Sequence, residues 1–208
     1  GFNEMKQLFR MNLMEETASY SDRARLFKEM ESEEVPETPL DILQEFARSN
    51  GQALQQLAAR TDPDMLSRAV ELLAAAETIY VVGLRRSYSI ATYLTYALSH
   101  LDCRPVLLDG MGGMLREQSG RIKAQDIVVS VSFSPYAEET LMVSENAAAV
   151  GARQIVITDS QISPLATFSD LCFVVKEAQV DAFRSQSATL CLVQSLVVAL
   201  AYRGNKKS

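Results

Sequence analysis

The chain has 208 residues, 48% of them apolar and 22% charged, with a formal net charge of −6. That length suits one substantial domain with an appendage, and that apolar share can bury a full core. The acidic balance excludes a chain that grips nucleic acid through its overall charge, because neutralising phosphates needs clustered Lys and Arg.

Residues 1–30 place Phe2, Met5, Leu8, Phe9 and Leu13 at helical spacing, and a second helical segment runs up to Met30. From Glu29 to Asp41 there are six acids, no bases, and prolines at 36 and 39. This composition disfavours packing and predicts a linker over 31–41. Two amphipathic helices are expected next, at 39–59 and 64–76, separated by Thr61-Asp62-Pro63, where a capping residue meets a proline.

The rest of the body, within 42–208, alternates short apolar runs with helical stretches. The runs are TIYVVG (78–83), PVLLD (105–109), DIVVSVS (126–132), QIVIT (154–158) and LCFVV (171–175). Each is apolar almost throughout, as parallel strands covered on both faces must be. Helices are predicted over 87–101, 111–120, 136–150, 163–168 and 182–203. The expected fold is α/β: a three-layer, doubly wound, five-stranded parallel sheet of flavodoxin-like order, preceded by a helical segment. Ligands of such sheets bind beyond the carboxyl ends of the strands at the switch point, which singles out the loops after Gly83 and Ser132.

The first loop lies in VVGLRRSYSIA. A dinucleotide site would need glycines where Arg85 and Tyr88 stand, so no nucleotide cofactor is expected, although Asp109 ends the second strand. What remains is Gly83, Arg85, Arg86 and Ser87, the last a candidate helix N-cap. In the second loop Ser134 is predicted to cap a helix that starts at Pro135, leaving the amides of Tyr136 and Ala137 free for an anion. Ser132 and Ser134 would add hydroxyls, with Phe133 between them and Ser130 one step deeper in the strand. Ser185 and Ser187, before the last helix, are weaker candidates. Cys103, Cys172 and Cys191 match no metal pattern and are expected as buried thiols, so no metal is predicted. The apolar tract 188–202 is expected to be too short for a membrane span, no signal pattern opens the chain, and a cytoplasmic location is expected.

These residues resemble a known family. The body from about 65 to 203 is similar to the SIS (sugar-isomerase) domain. That domain's first loop reads G-x-G-x-S, matched by Gly83 and Ser87, with Arg85 in place of the second glycine. Its second reads S-x-S-G-x-[ST], matched by Ser132 and Ser134, with Pro135 for the glycine and Ala137 for the last hydroxyl. ITDSQISPLA (157–166) resembles the family's exit from strand four. The opening GFNEMKQLFRMNL resembles the last helix of the DNA-binding domain in RpiR-type regulators. The resemblance implies a SIS-type body (42–208) that binds a sugar phosphate, or a related sugar acid if the arginines replace lost phosphate ligands. It also implies a remnant of the helical head (1–30), a helix-turn-helix upstream that contacts DNA, and homodimers or tetramers. The runner-up reading is an aldose–ketose isomerase. For that role the single histidine, His100, falls at the far end of its helix, which leaves Glu138, Glu139 and Glu177 as acids on the ligand side. The expectation is a sensor without catalytic residues.

Overall fold

The computed structural model of the protein describes residues 19–30 and 38–204. Helix α1 spans Tyr20–Met30, α2 Pro39–Arg60 and α3 Pro63–Ala75. The body then runs β1 Ile79–Val82, α4 Tyr88–Leu98, β2 Pro105–Leu107, α5 Leu115–Ser119, β3 Ile127–Val131, α6 Glu138–Ala149, β4 Arg153–Thr158 and β5 Leu171–Val174. A short hairpin of β6 Gln179–Val180 and β7 Phe183–Arg184 leads into α7, Ser187–Gly204. Most of the predicted head (1–18) and of the predicted linker (31–37) lies outside the described residues. Asp41 does not belong to a linker: its side chain accepts from the Thr38 amide at 3.0 Å while its own amide donates to Thr38 Oγ1 at 3.2 Å. This reciprocal pair caps α2 and starts it at Pro39. Asp62 caps α3 in the same manner, accepting from the Asp64 amide at 2.9 Å, with Pro63 in the first helical position.

The five main strands form one parallel sheet in the order β2-β1-β3-β4-β5. The order reverses between β1 and β3, both of which are buried along their whole length. Alternate residues of each strand serve different cores. Ile79, Val81, Ile127, Val129, Ile155 and Ile157 face one layer with Leu73, Leu94, Leu98, Leu192 and Leu196 from α3, α4 and α7. Tyr80, Val82 and Val128 face the other, with Leu115, Val143 and Ala147 from α5 and α6. Removing this much apolar surface from water, at roughly 25 cal/mol per Å2, holds the three layers together.

Two expectations need correction here. Helix α7 is 18 residues long and apolar enough to cross a membrane by length and composition, which the tract 188–202 was expected not to be. Its apolarity is explained by Ala188, Leu192, Val193, Leu196, Val197 and Leu200, all buried against the body. The three cysteines are free thiols but half-buried rather than buried. Burial still raises the Cys103 and Cys172 pKa values above the usual thiol value.

Candidate functional site

The first loop turns sharply because residue 83 has no side chain. A Cβ there would lie 2.8 Å from the Ser87 carbonyl oxygen and 3.1 Å from Ala91 Cβ. The chain folds instead into a 3-10 turn, Arg85–Ser87, with Arg85 in the left-handed region at φ 55°. Ser87 was expected to cap α4, yet it is already helical (φ −75°, ψ −9°) and its side chain makes no capping bond. The preceding turn takes the place of a cap, and Ser87 lines a cavity.

The second loop departs further from expectation. Helical hydrogen bonding begins only where the amides of Thr140 and Leu141 donate to the Ala137 carbonyl, at 3.1 and 3.3 Å. Helix α6 therefore starts at Glu138, with Ala137 as a cap position that lacks a side-chain bond; neither Ser134 nor Pro135 belongs to it. The Ser134–Pro135 peptide is cis. The cause of the delay is Asp159, which stands at the exit of β4. Its carboxylate accepts from the Ser134 amide at 3.2 Å, the Tyr136 hydroxyl at 2.8 Å and the Thr158 hydroxyl at 3.3 Å. This holds residues 132–137 as a loop. Tyr136 is thus turned to Asp159 and away from the cavity, and its phenol pKa is raised, chiefly by burial and then by that bond.

A third segment comes from the β6–β7 hairpin. Arg184, with its side chain 13% exposed, lies 3.6 Å from Asp159, donates to the Ser134 carbonyl and stacks over Phe133, 5.5 Å from the ring centroid. Gln186 ties the hairpin to the first loop: its amide donates to the Arg86 carbonyl, and its oxygen accepts from Ser89, both at 2.6 Å. Glu177 accepts from the amides of Ala188 (3.1 Å) and Thr189 (2.7 Å) and from the Thr189 hydroxyl (2.6 Å). Its carboxylate therefore caps α7.

Together these segments enclose a cavity of about 450 Å3 beyond the carboxyl ends of β1 and β3, within the range of small-molecule sites. Of the residues expected to meet a ligand, Arg85, Arg86, Ser87, Ser132, Phe133, Ser134, Ala137 and Ser185 line it. Gly83 shapes the turn without lining it. Ser130 is buried in the sheet, where its oxygen lies 3.3 Å from that of Ser144 on α6, so the sheet–helix packing absorbs its polarity. Ser187 does not line the cavity; its amide donates to Ser185 Oγ at 3.2 Å. Sequence reasoning missed Arg184, Gln186 and Thr189, and it missed Tyr20 and Arg23 of α1, which also line the space. The only signal for Arg184 was its place in the polar stretch FRSQS before the last helix; nothing local marked Arg23.

Four arginines thus border one cavity, and among the described residues its single lining carboxylate, Glu177, is engaged as a helix cap. The arrangement can bind an anion and offers hydroxyls to its oxygens. Among the described residues no group of three or more His, Cys, Asp and Glu is placed to hold a metal ion. His100 lies beyond the C-terminal end of α4 with its ring edge-on to Tyr96 at 4.7 Å, and it does not line the cavity.

The model of the SIS domain family matches residues 72–206. The chain belongs to the SIS domain family. A solved SIS relative, the sugar isomerase domain of an RpiR transcription factor from Sphaerobacter thermophilus, is 27% identical with a TM-score of 0.74, covering 79% of this chain and 91% of that one. The NanR protein of Vibrio vulnificus, complexed with ManNAc-6P, is 26% identical with a TM-score of 0.71, covering 80% of this chain and 65% of its own. This SIS chain therefore spans just under two thirds of NanR. The phosphoheptose isomerase of Neisseria gonorrhoeae, 15% identical with a TM-score of 0.65 over 77% of this chain and 97% of that one, shares the fold. The fold thus serves both regulators and isomerases.

Proposed function

We propose that this SIS domain is the effector-sensing part of a bacterial regulator of sugar metabolism, and that a sugar phosphate or sugar acid binds at the switch point. One observation carries the reading: Ser87, Ser132 and Ser134 line a cavity together with Arg23, Arg85, Arg86 and Arg184, and the one carboxylate among the described lining residues, Glu177, is engaged as the cap of α7. Phosphate or carboxylate oxygens accept from the three hydroxyls and from the guanidinium forks, whose planar geometry suits both groups. Two similar solved chains, an RpiR factor and NanR, are regulators, and NanR was solved with a sugar phosphate. DNA contact would come from a helix-turn-helix upstream, and a homodimer or tetramer would pair the heads on a pseudo-palindromic operator. The reading requires no cofactor and places the protein in the cytoplasm.

The second reading, an aldose–ketose isomerase, is favoured by the shared fold and by Glu177 in the cavity. A base, however, must reach a carbon-bound proton with a free carboxylate oxygen. Both Glu177 oxygens already accept hydrogen bonds from α7. The test is a thermal-shift screen of sugar phosphates, ManNAc-6P among them, and of sugar acids, with each hit assayed for turnover. A ligand at 100 times its Kd adds about 2.7 kcal/mol of stability. Binding without conversion supports the sensor, and interconversion of the hit would make the protein an isomerase.

A further inference from the structure

We infer that Arg23, on α1, completes the anion site from outside the matched domain, so that a bound effector ties α1 to the body. This deepens the reading above and rests on it. Helix α1 precedes the matched residues 72–206, yet Arg23 lines the cavity and is only 5% exposed. Its neighbours Tyr20, Ser21 and Arg25 on the same helix are exposed. The Arg23 guanidinium lies over the Tyr20 ring, 5.6 Å from the ring centroid. An aromatic pair joins the two segments: the Tyr20 ring stacks on Phe183 at 5.2 Å and 8°, next to Arg184 on the hairpin.

Such a pair contributes modestly to docking. An anion held between Arg23 on one side and Ser132, Ser134 and Arg184 on the other makes a second tether, present only when the cavity is filled. By linkage, whatever Arg23 contributes to effector affinity the effector returns as docking strength for α1. In sequence the acidic stretch 31–37 separates α1 from α2. An upstream DNA-binding head would thereby be connected to the occupied site.

The chain contains no tryptophan, so Tyr20→Trp supplies a single emission reporter at the docking point. The full chain carrying it is titrated with inorganic phosphate and with ManNAc-6P, with affinities measured in parallel by calorimetry. The expected results are an emission change on binding and, for Arg23→Ala, an affinity lowered about tenfold or more with that change abolished. Arg23→Lys, which keeps the charge but not the fork, should retain part of both. Unchanged affinity in Arg23→Ala, while Ser134→Ala weakens binding, would overturn this inference and leave the proposed site standing. Binding with no emission response would overturn the tie between effector and α1. Saturable binding of neither probe by the unaltered chain would overturn the site itself, and this inference with it.

Discussion

At the scale of single residues, Asp159 and Ser134 separate the frame of the site from its contacts. Asp159 faces three donors and the Arg184 guanidinium, so Asp159→Ala leaves partly buried donors without their acceptor. A loss of about 1–3 kcal/mol in unfolding free energy is expected, together with weaker ligand binding. Ser134→Ala removes only a hydroxyl, because the backbone amide makes the bond to Asp159. It should weaken a phosphorylated ligand with little change in Tm, and equal destabilisation by both variants would contradict this division. Ser87, Ser132 and Ser134 were legible in the sequence because a hydroxyl beside a strand end is itself a binding signal. Asp159 lay inside a recognised stretch, ITDSQISPLA, but its role depends on a loop 25 residues earlier in the chain, which no local pattern reveals.

At the scale of elements, all five strands were readable to within about two residues, because burial on both faces forces an unbroken apolar run. The helix starts at the two ligand loops were readable to within about two residues as well, but their caps were not. Local reasoning gave Ser87 and Ser134 to helix caps, whereas contacts from Gln186 and Asp159 postpone or replace those caps. The β6–β7 hairpin escaped altogether, since two-residue strands carry no periodicity. The turn after β1 is set by steric exclusion. Gly83→Ala brings a methyl group to 2.8 Å from a backbone oxygen rather than from a movable side chain. The 3-10 turn must shift, so a loss of about 1–3 kcal/mol is expected, with Ser87 and Arg85 displaced and ligand affinity reduced. Chemical denaturation and calorimetry read the two effects, and a stable variant with full affinity would show that the turn tolerates a Cβ. Glu177 supplies the corresponding test for α7. Glu177→Ala should cost about 1–2 kcal/mol as a lost cap, read by chemical denaturation.

At the scale of the whole molecule, the switch point was predictable because strand order follows from right-handed crossovers, and the ligand loops follow from the order. The covering of the site by α1 was not, because it depends on the return of a distant segment rather than on any rule of sheet topology. The same three-layer burial makes the protein's stability depend on alkaline pH. Burial raises the pKa values of Cys103, Cys172, Tyr80 and Tyr136; nearby Asp102, Asp126 and Asp159 reinforce the shift at Cys103, Tyr80 and Tyr136 respectively. In the unfolded chain these groups lose their protons near their ordinary values, about 8.5 for Cys and about 10 for Tyr. The folded chain holds the protons to higher pH, so its advantage is complete below about 8.5 and is lost as pH rises through the raised values. The denaturation midpoint should therefore be steady from about pH 7 to 8, fall first as the thiols titrate, and fall further beyond about 10. Replacing Cys103 and Cys172 by Ala should remove the earlier decline and leave the later one, whereas Tyr136→Phe should flatten the later one at the expense of a bond to Asp159. A midpoint that stays constant to about pH 11 would contradict the raised values and mean that these four groups are as accessible to water in the folded chain as in the unfolded one.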